Sequence, residues 1–341
     1  MKKIAILVFF TVGFFVHVWA CTGLIAGKQA TVDGSVLVTY SADSHTLYGA
    51  LTSSPAADWP KGSMRSIVEW DTNKPLGEIE QVEHTYAVMG NMNEHQLTVV
   101  ESTWGGRPEL VDTTGIIDYG SLMQLALERA KTAREAIKVM TGLVKKYGYY
   151  SSGESFTIAD PNEAWILDLI GKGPGRRGAV WVAVRIPDDC IAGHANYPRI
   201  HKIPMDDKEN CLYSPDVISF AREMGYFDGL NKDFSFARAY SPADFGALRA
   251  CDARVWSFFR KYDSTMDNYL PYVNGESAEP FPLYVKPSRK LSVQDMKEAM
   301  RDHFEDTPFD MTQDVGAGPF KVPYRFRPMS FEVDGKSYCM E

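Results

Sequence analysis

An apolar run from Ile4 to Phe15 follows Lys2 and Lys3 and leads through Val18-Trp19-Ala20 directly to Cys21. A short positive region, an apolar segment and a small-residue exit together predict an export signal removed after Ala20. The run is too short for a spanning helix, and no later segment offers the roughly 20 consecutive apolar residues that a span needs. The expected division is a signal peptide, 1–20, released by signal peptidase, and a periplasmic or extracellular domain, 21–341, whose first residue is a cysteine. The same Ala20-Cys21 pair also fits the second half of a lipid-attachment motif, for which Trp19 is bulky. A lipid anchor on Cys21 would block its thiol and its amine together.

The 341-residue chain leaves a mature part long enough for one large domain or two smaller ones. Its formal charge of −8 becomes −10 once Lys2 and Lys3 leave, and no basic tract replaces them. Nucleic acid is therefore not an expected partner. The five cysteines, at 21, 190, 211, 251 and 339, include no CxxC pair. The last four allow three disulfide connectivities in an oxidising compartment, or they are scattered core residues. Neither zinc-ligand spacing nor HExxH occurs, so no metal or cofactor is expected. The aspartates 306, 310 and 314 recur every four residues, but Pro308 and the glycines after Asp314 argue against a helix that would align them for calcium.

Residues 23–28 and 35–40 read as extended segments around Asp33-Gly34, a dipeptide suited to the positive backbone angles of a tight turn. That hairpin would return residues 40–43 to the neighbourhood of Cys21. A second strand pair is expected over 84–89 and 96–101, joined through 90–94. A helix over 122–130 is followed by a capping pattern, Thr132 to Glu135, and by a helical stripe of Ala133, Ala136, Ile137, Met140, Leu143, Val144 and Tyr147 that stops at Gly148. Segments 164–170 and 179–185 are too continuously apolar for an exposed sheet. Residues 210–290 are aromatic and irregular, suited to a cleft wall or a second core. A short helix is expected over 292–304 with Val293, Met296 and Met300 inward.

A cysteine at position one carries a sulfur nucleophile beside an α-amine whose reference pKa is roughly 8, so one residue supplies both attack and base. This chemistry suits attack on an amide carbonyl. Three further sets of residues sharpen it: Cys21-Thr22 with Asp33-Gly34-Ser35 and Ala42-Asp43-Ser44; Asn91-Met92-Asn93-Glu94-His95-Gln96 with Glu101-Ser102-Thr103-Trp104-Gly105-Gly106-Arg107; and 182–189 followed by His194-Ala195-Asn196. In this order they resemble the C69 dipeptidases, a family of N-terminal nucleophile hydrolases.

The resemblance implies an α+β fold, a four-layer α/β/β/α sandwich, and hydrolysis of dipeptides through an acyl-enzyme on Cys21. Distant relatives cleave the amides of bile salts and penicillin V, so small N-acyl amides are the nearest alternative substrates. A non-catalytic surface lipoprotein binding peptides or glycans is the alternative of another class. Asp43 is expected to hold the nucleophile or its amine, and Asn196, in His194-Ala195-Asn196-Tyr197-Pro198, to donate to the oxyanion. Thr103 is a weaker candidate for the oxyanion site or pocket. Arg254 resembles a supporting arginine. Tyr40 stands where many members have arginine, and its hydroxyl, with His45, would then help position the site. Asn93 and Glu94 are expected to brace a loop; Glu94 would bind the substrate amine if it reached it. His194 is expected mainly as a satisfied structural group. Family members continue beyond the position of Glu341, so a missing C-terminal part is expected. Association of copies is left open.

Overall fold

The computed structural model describes residues 20–43, 49–314, 317–323, 331–333 and 336–338. The predicted signal peptide up to Trp19, and also His45 and Cys339, lie outside the described residues. Strand β1 (Ala20–Ala26) and strand β2 (Leu37–Asp43) pair antiparallel without interruption, from Ala20 opposite Asp43 to Ala26 opposite Leu37. Gly34 turns the connection at φ +79°, and Asp33 Oδ1 accepts from the Ser35 N–H and hydroxyl. The predicted hairpin forms, and it sets Cys21 across from Ala42.

The larger sheet runs through β3 (Ser53–Ser54), β4 (Val88–Met89), β5 (Met92–Asn93), β6 (Thr98–Gly105), β7 (Gly153–Ala159), β8 (Ala164–Gly171) and β9 (Ala179–Ile186). With β10 (Ile191–His194), β11 (Cys211–Tyr213) and β12 (Tyr284–Val285) named, the two sheets have the orders β11-β9-β8-β7-β6-β5-β4-β3 and β12-β10-β1-β2. The pairing expected between 84–89 and 96–101 is not direct. Met92 and Asn93 form a strand between them, with Gly90 at φ +54° making the tight turn. The expected segments at 164–170 and 179–185 are β8 and β9, and every residue of β8 is buried because both faces of that sheet are covered.

Helices α1 (Tyr119–Arg129) and α2 (Ala133–Tyr147) cover one face. Asp118 caps α1 by accepting from Ser121 N–H, so the helix begins at Tyr119, three residues before the expected start. Thr132 caps α2 by accepting from Glu135 N–H, while the Glu135 carboxylate reaches back to Lys131 N–H. Ile137, Met140 and Val144 pack on Phe156, Ile158, Trp165 and Leu167 of the sheet. Each such side chain contributes roughly 1.5–3 kcal/mol on burial. Gly148, at φ +81°, ends the helix.

Between the sheets lie Ile25 and Ala192 from the small sheet and Ile166, Val180, Val182 and Val184 from the large one. Outside the small sheet, helix α3 (Ala253–Arg260) and helix α4 (Val293–Ala299) pack with Phe281 against Leu24, Ala26 and Ile191. Helix, sheet, sheet, helix is the four-layer order of an α/β/β/α sandwich. The aromatics of 210–290, including Trp256, Phe258 and Phe281, fill this outer core. In α4 Met296 is buried and Met300 packs at the margin, but Val293 is 48% exposed. It is the first helical residue, inside the capping box that Ser292 and Asp295 form. Among the described residues Cys21, Cys190, Cys211 and Cys251 are free thiols, and no helix is long and apolar enough to cross a membrane.

Candidate active site

The site forms at the end of β1, where the hairpin, β6 and the segment after β10 converge. The loop following β10 is tied down from both sides. Ile200 N–H donates to Asp168 Oδ2 at 3.0 Å, Ser155 Oγ donates to Asp168 Oδ1, and Arg199 forms a fully buried ion pair with Asp252 at 3.1 Å. Burial raises the Asp168 carboxyl to about 6, against the hydrogen bonds from Ser155 and Ile200. Within this anchored loop Asn196 takes φ +52°, a left-handed conformation that asparagine tolerates better than most residues.

Asn196 is the hub. Its Oδ1 accepts from Cys21 N–H at 2.7 Å and from Arg254 Nη2 at 2.8 Å, and its Nδ2 donates to Thr103 O at 2.5 Å. Two donors at one end and an acceptor at the other leave a single orientation for the amide. Arg254, on α3, also donates from Nη1 to Cys21 O and Thr22 Oγ1, both at 2.7 Å. One guanidinium therefore grips the backbone of the cysteine and the amide facing its nitrogen.

On the sulfur side, Cys21 Sγ lies 3.7 Å from Glu101 Oε1, and the Tyr40 hydroxyl donates to the same oxygen at 2.5 Å. Thr103 Oγ1 donates to Glu154 Oε1 at 2.6 Å. Both carboxyls are raised by burial, and Glu101 is held down by bonds from Tyr40, Glu154 and Cys21. Glu154 receives only the Thr103 hydroxyl and faces Glu101, so burial and that neighbour hold it in the protonated form. Burial, then Glu101 and Glu154, push the Cys21 thiol up, opposed by an N–H from the Asp43 backbone. In this state Ala20 still precedes Cys21, and the cysteine is 1% exposed. Burial and the neighbouring Glu101 likewise keep the Tyr40 hydroxyl protonated.

Of the residues chosen from sequence, Cys21, Tyr40, Thr103, Asn196 and Arg254 form one hydrogen-bonded cluster, and Asp43 joins it through its backbone. Asn93 and Glu94 bond elsewhere. Asn93 Nδ2 donates to Leu127 O and Ala130 O at the end of α1, and Glu94 Oε1 accepts from Ala87 N–H. His194 is wholly buried between the sheets, bonded to Ser102 Oγ at 2.6 Å and Thr157 Oγ1 at 2.8 Å. Asp188 and Asp189 pair with Arg185 and Lys286. Asp310 accepts from Thr312, and among the described residues no group of His, Cys, Asp or Glu is arranged to hold a metal ion.

Sequence reasoning singled out neither Glu101 nor Glu154. The available signal is a lone acid beside an apolar strand run: Glu101 after Val99-Val100, and Glu154 shortly before Phe156 and Ile158. Such a residue costs several kcal/mol when buried without partners, so its place inside a covered sheet implies a dedicated environment.

The sequence profile of Peptidase family C69 matches residues 20–341. The chain is 28% identical over 318 residues to a "Probable dipeptidase" of Salmonella dublin, covering 85% of this chain and 68% of that protein. It is 24% identical over 345 residues to a "Probable dipeptidase" of Latilactobacillus sakei (94% and 68%) and 25% identical over 343 residues to "Dipeptidase A" of Lactobacillus helveticus (94% and 69%). It spans about two thirds of the length of these curated relatives. With its buried cysteine at the head of the first strand and a match that begins at Ala20, the chain belongs to peptidase family C69.

Proposed function

We propose that this chain is an exported dipeptidase that, once residues 1–20 are removed, hydrolyses dipeptides through an acyl-enzyme on Cys21. The observation that carries the reading is the 2.7 Å hydrogen bond from Cys21 N to Asn196 Oδ1. The nitrogen that cleavage would turn into an amine already faces a fixed acceptor, and Arg254 holds that acceptor in place.

In this reading the Cys21 amine takes the thiol proton and Sγ attacks the peptide carbonyl carbon. Collapse of the tetrahedral state breaks the C–N bond, the ammonium returns its proton to the leaving amine, and water then hydrolyses the thioester by the same relay. The positive charge formed at the amine acts against the burial that holds the thiol up in the uncleaved chain. Asn196 Nδ2 has two hydrogens, of which Thr103 O takes one. The other is the proposed oxyanion donor, with a backbone N–H as its companion. Asp43, opposite Ala20 in the hairpin, becomes the neighbour of the new terminus and orients the ammonium.

The test begins with the mass of the N-terminal peptide of the exported protein, expected to start at unmodified Cys21. Purified protein should release alanine from L-alanyl-L-alanine, and Cys21→Ala should abolish that release while leaving the fold intact. A lipid-modified Cys21, turnover by the Cys21→Ala protein, or preferential cleavage of N-acyl amino acids would overturn the reading.

A further inference from the structure

The pair formed by Glu101 and Glu154 has a feature that the mechanism above does not use. Glu101 is 2% exposed and Glu154 is fully buried, yet neither forms an ion pair with a lysine or arginine among the described residues. Oε2 of each carboxyl is buried and has no hydrogen-bond partner among the described residues. The hydroxyls that reach the pair, from Tyr40 and Thr103, are neutral. Arg254 directs its donors instead to Cys21 O, Thr22 Oγ1, Asn196 Oδ1 and the carbonyls of Ala195 and Ala250. Two buried carboxyls with no cation beside them among the described residues are pushed toward the neutral form, and an arriving ammonium is the partner that would favour the ionised one.

We propose that Glu101, beside the Cys21 sulfur, is the receptor for the free α-amino group of the substrate. The inference rests on the reading of Cys21 as nucleophile, and it makes the pair the reason the site prefers an unblocked N-terminus. The distances agree. A substrate α-nitrogen lies about 2.5 Å from its own carbonyl carbon. Attack needs Sγ roughly 3–3.5 Å from that carbon, and an ammonium–carboxylate bond spans about 2.8 Å. With Glu101 Oε1 3.7 Å from Sγ, the four atoms close a ring. As the thiol proton moves to the Cys21 amine, Oε1 loses the S–H contact and the ammonium takes that place. Glu94, the sequence candidate for this role, is exposed and holds Ala87 N–H at 2.8 Å.

The experiment measures binding by calorimetry to the mature chain carrying Cys21→Ala, with L-alanyl-L-alanine and N-acetyl-L-alanyl-L-alanine as probes. The free dipeptide is expected to bind about 10- to 100-fold more tightly, the range of a charge-assisted hydrogen bond. Adding Glu154→Gln should preserve the difference, because it leaves the Glu101 carboxyl in place and puts an amide donor beside it. Adding Glu101→Gln and Glu154→Gln together should erase it, with melting no lower, since two isosteric neutral groups replace a buried carboxyl pair that lacks a cation. Equal affinity of the parent for both probes, or a difference that survives in the double variant, overturns the assignment. Turnover is read separately with Cys21 intact: absence of hydrolysis there would refute the proposed function, whereas the binding comparison alone decides the amine receptor.

Discussion

His194 joins the two sheets beneath the site, and its burial gives a stability effect that can be worked out in advance. The ring is fully buried, Ser102 and Thr157 bond its two nitrogens, and desolvation, aided by the charges of Arg254 and Arg199, lowers its pKa to about 3. An unfolded histidine titrates near 6.5. Below that pH the unfolded chain binds a proton that the folded chain refuses, so the contribution is fully present above about pH 6.5 and is lost as pH falls toward 3. Between pH 8 and pH 4.5 the loss comes to about 3 kcal/mol for this one group.

His194→Gln removes the titration while keeping an amide that can meet both hydroxyls. The variant should be less stable than the parent at pH 8 by roughly 1–3 kcal/mol, the cost of imperfect buried hydrogen bonds. Its stability should then fall less on acidification, by about 3 kcal/mol, as read from urea midpoints at pH 8 and pH 4.5. His201, also lowered to about 3, and the Glu101–Glu154 pair titrate in both proteins and cancel in the comparison. Parallel pH profiles for parent and variant would refute the argument that burial keeps His194 neutral.

Two further changes probe the same junction. A Cβ on Gly23 would lie 2.9 Å from His194 Cε1 and Nε2, so Gly23→Ala should cost about 1–3 kcal/mol in thermal unfolding; an unchanged melting temperature would mean that the His194 ring gives way there at no cost. Asn196→Asp keeps an acceptor for Cys21 N and tolerates φ +52°, but loses the amide donor. We expect kcat on dipeptides to fall on the order of 10²-fold with KM little changed, and a normal kcat would remove Asn196 from the oxyanion role.

Several elements were legible because their causes lie within a few residues. Asp33-Gly34 announced the β1–β2 hairpin, and the Thr132 cap, the apolar stripe and Gly148 announced α2. β7 was missed, although it lies at the centre of the large sheet. Its Ser155 and Thr157 alternate with Phe156 and Ile158, the pattern of a strand with one wet face. Both polar residues are nevertheless fully buried, because Ser155 bonds Asp168 and Thr157 bonds His194. No local rule reports partners that distant. Glu101 was hidden for the same reason, since its meaning depends on Cys21 and on Glu154, its partner on the adjacent strand.

What the residues determined by themselves is the position of one cysteine at the head of a strand, a hairpin that carries Tyr40 and Asp43 back to it, and a helix built to cover a sheet. These follow from turn geometry, periodicity and capping, which act over a turn or two of chain. The tertiary structure alone decided that Arg254, 233 residues from Cys21, would hold its carbonyl. It likewise decided that Asn196, 175 residues away, would face its nitrogen, and that a buried glutamate would lie beside its sulfur. Hydrogen bonding and charge burial depend on which atoms the packed layers bring within a few ångströms, and that proximity is set by the assembled sandwich rather than by spacing along the chain.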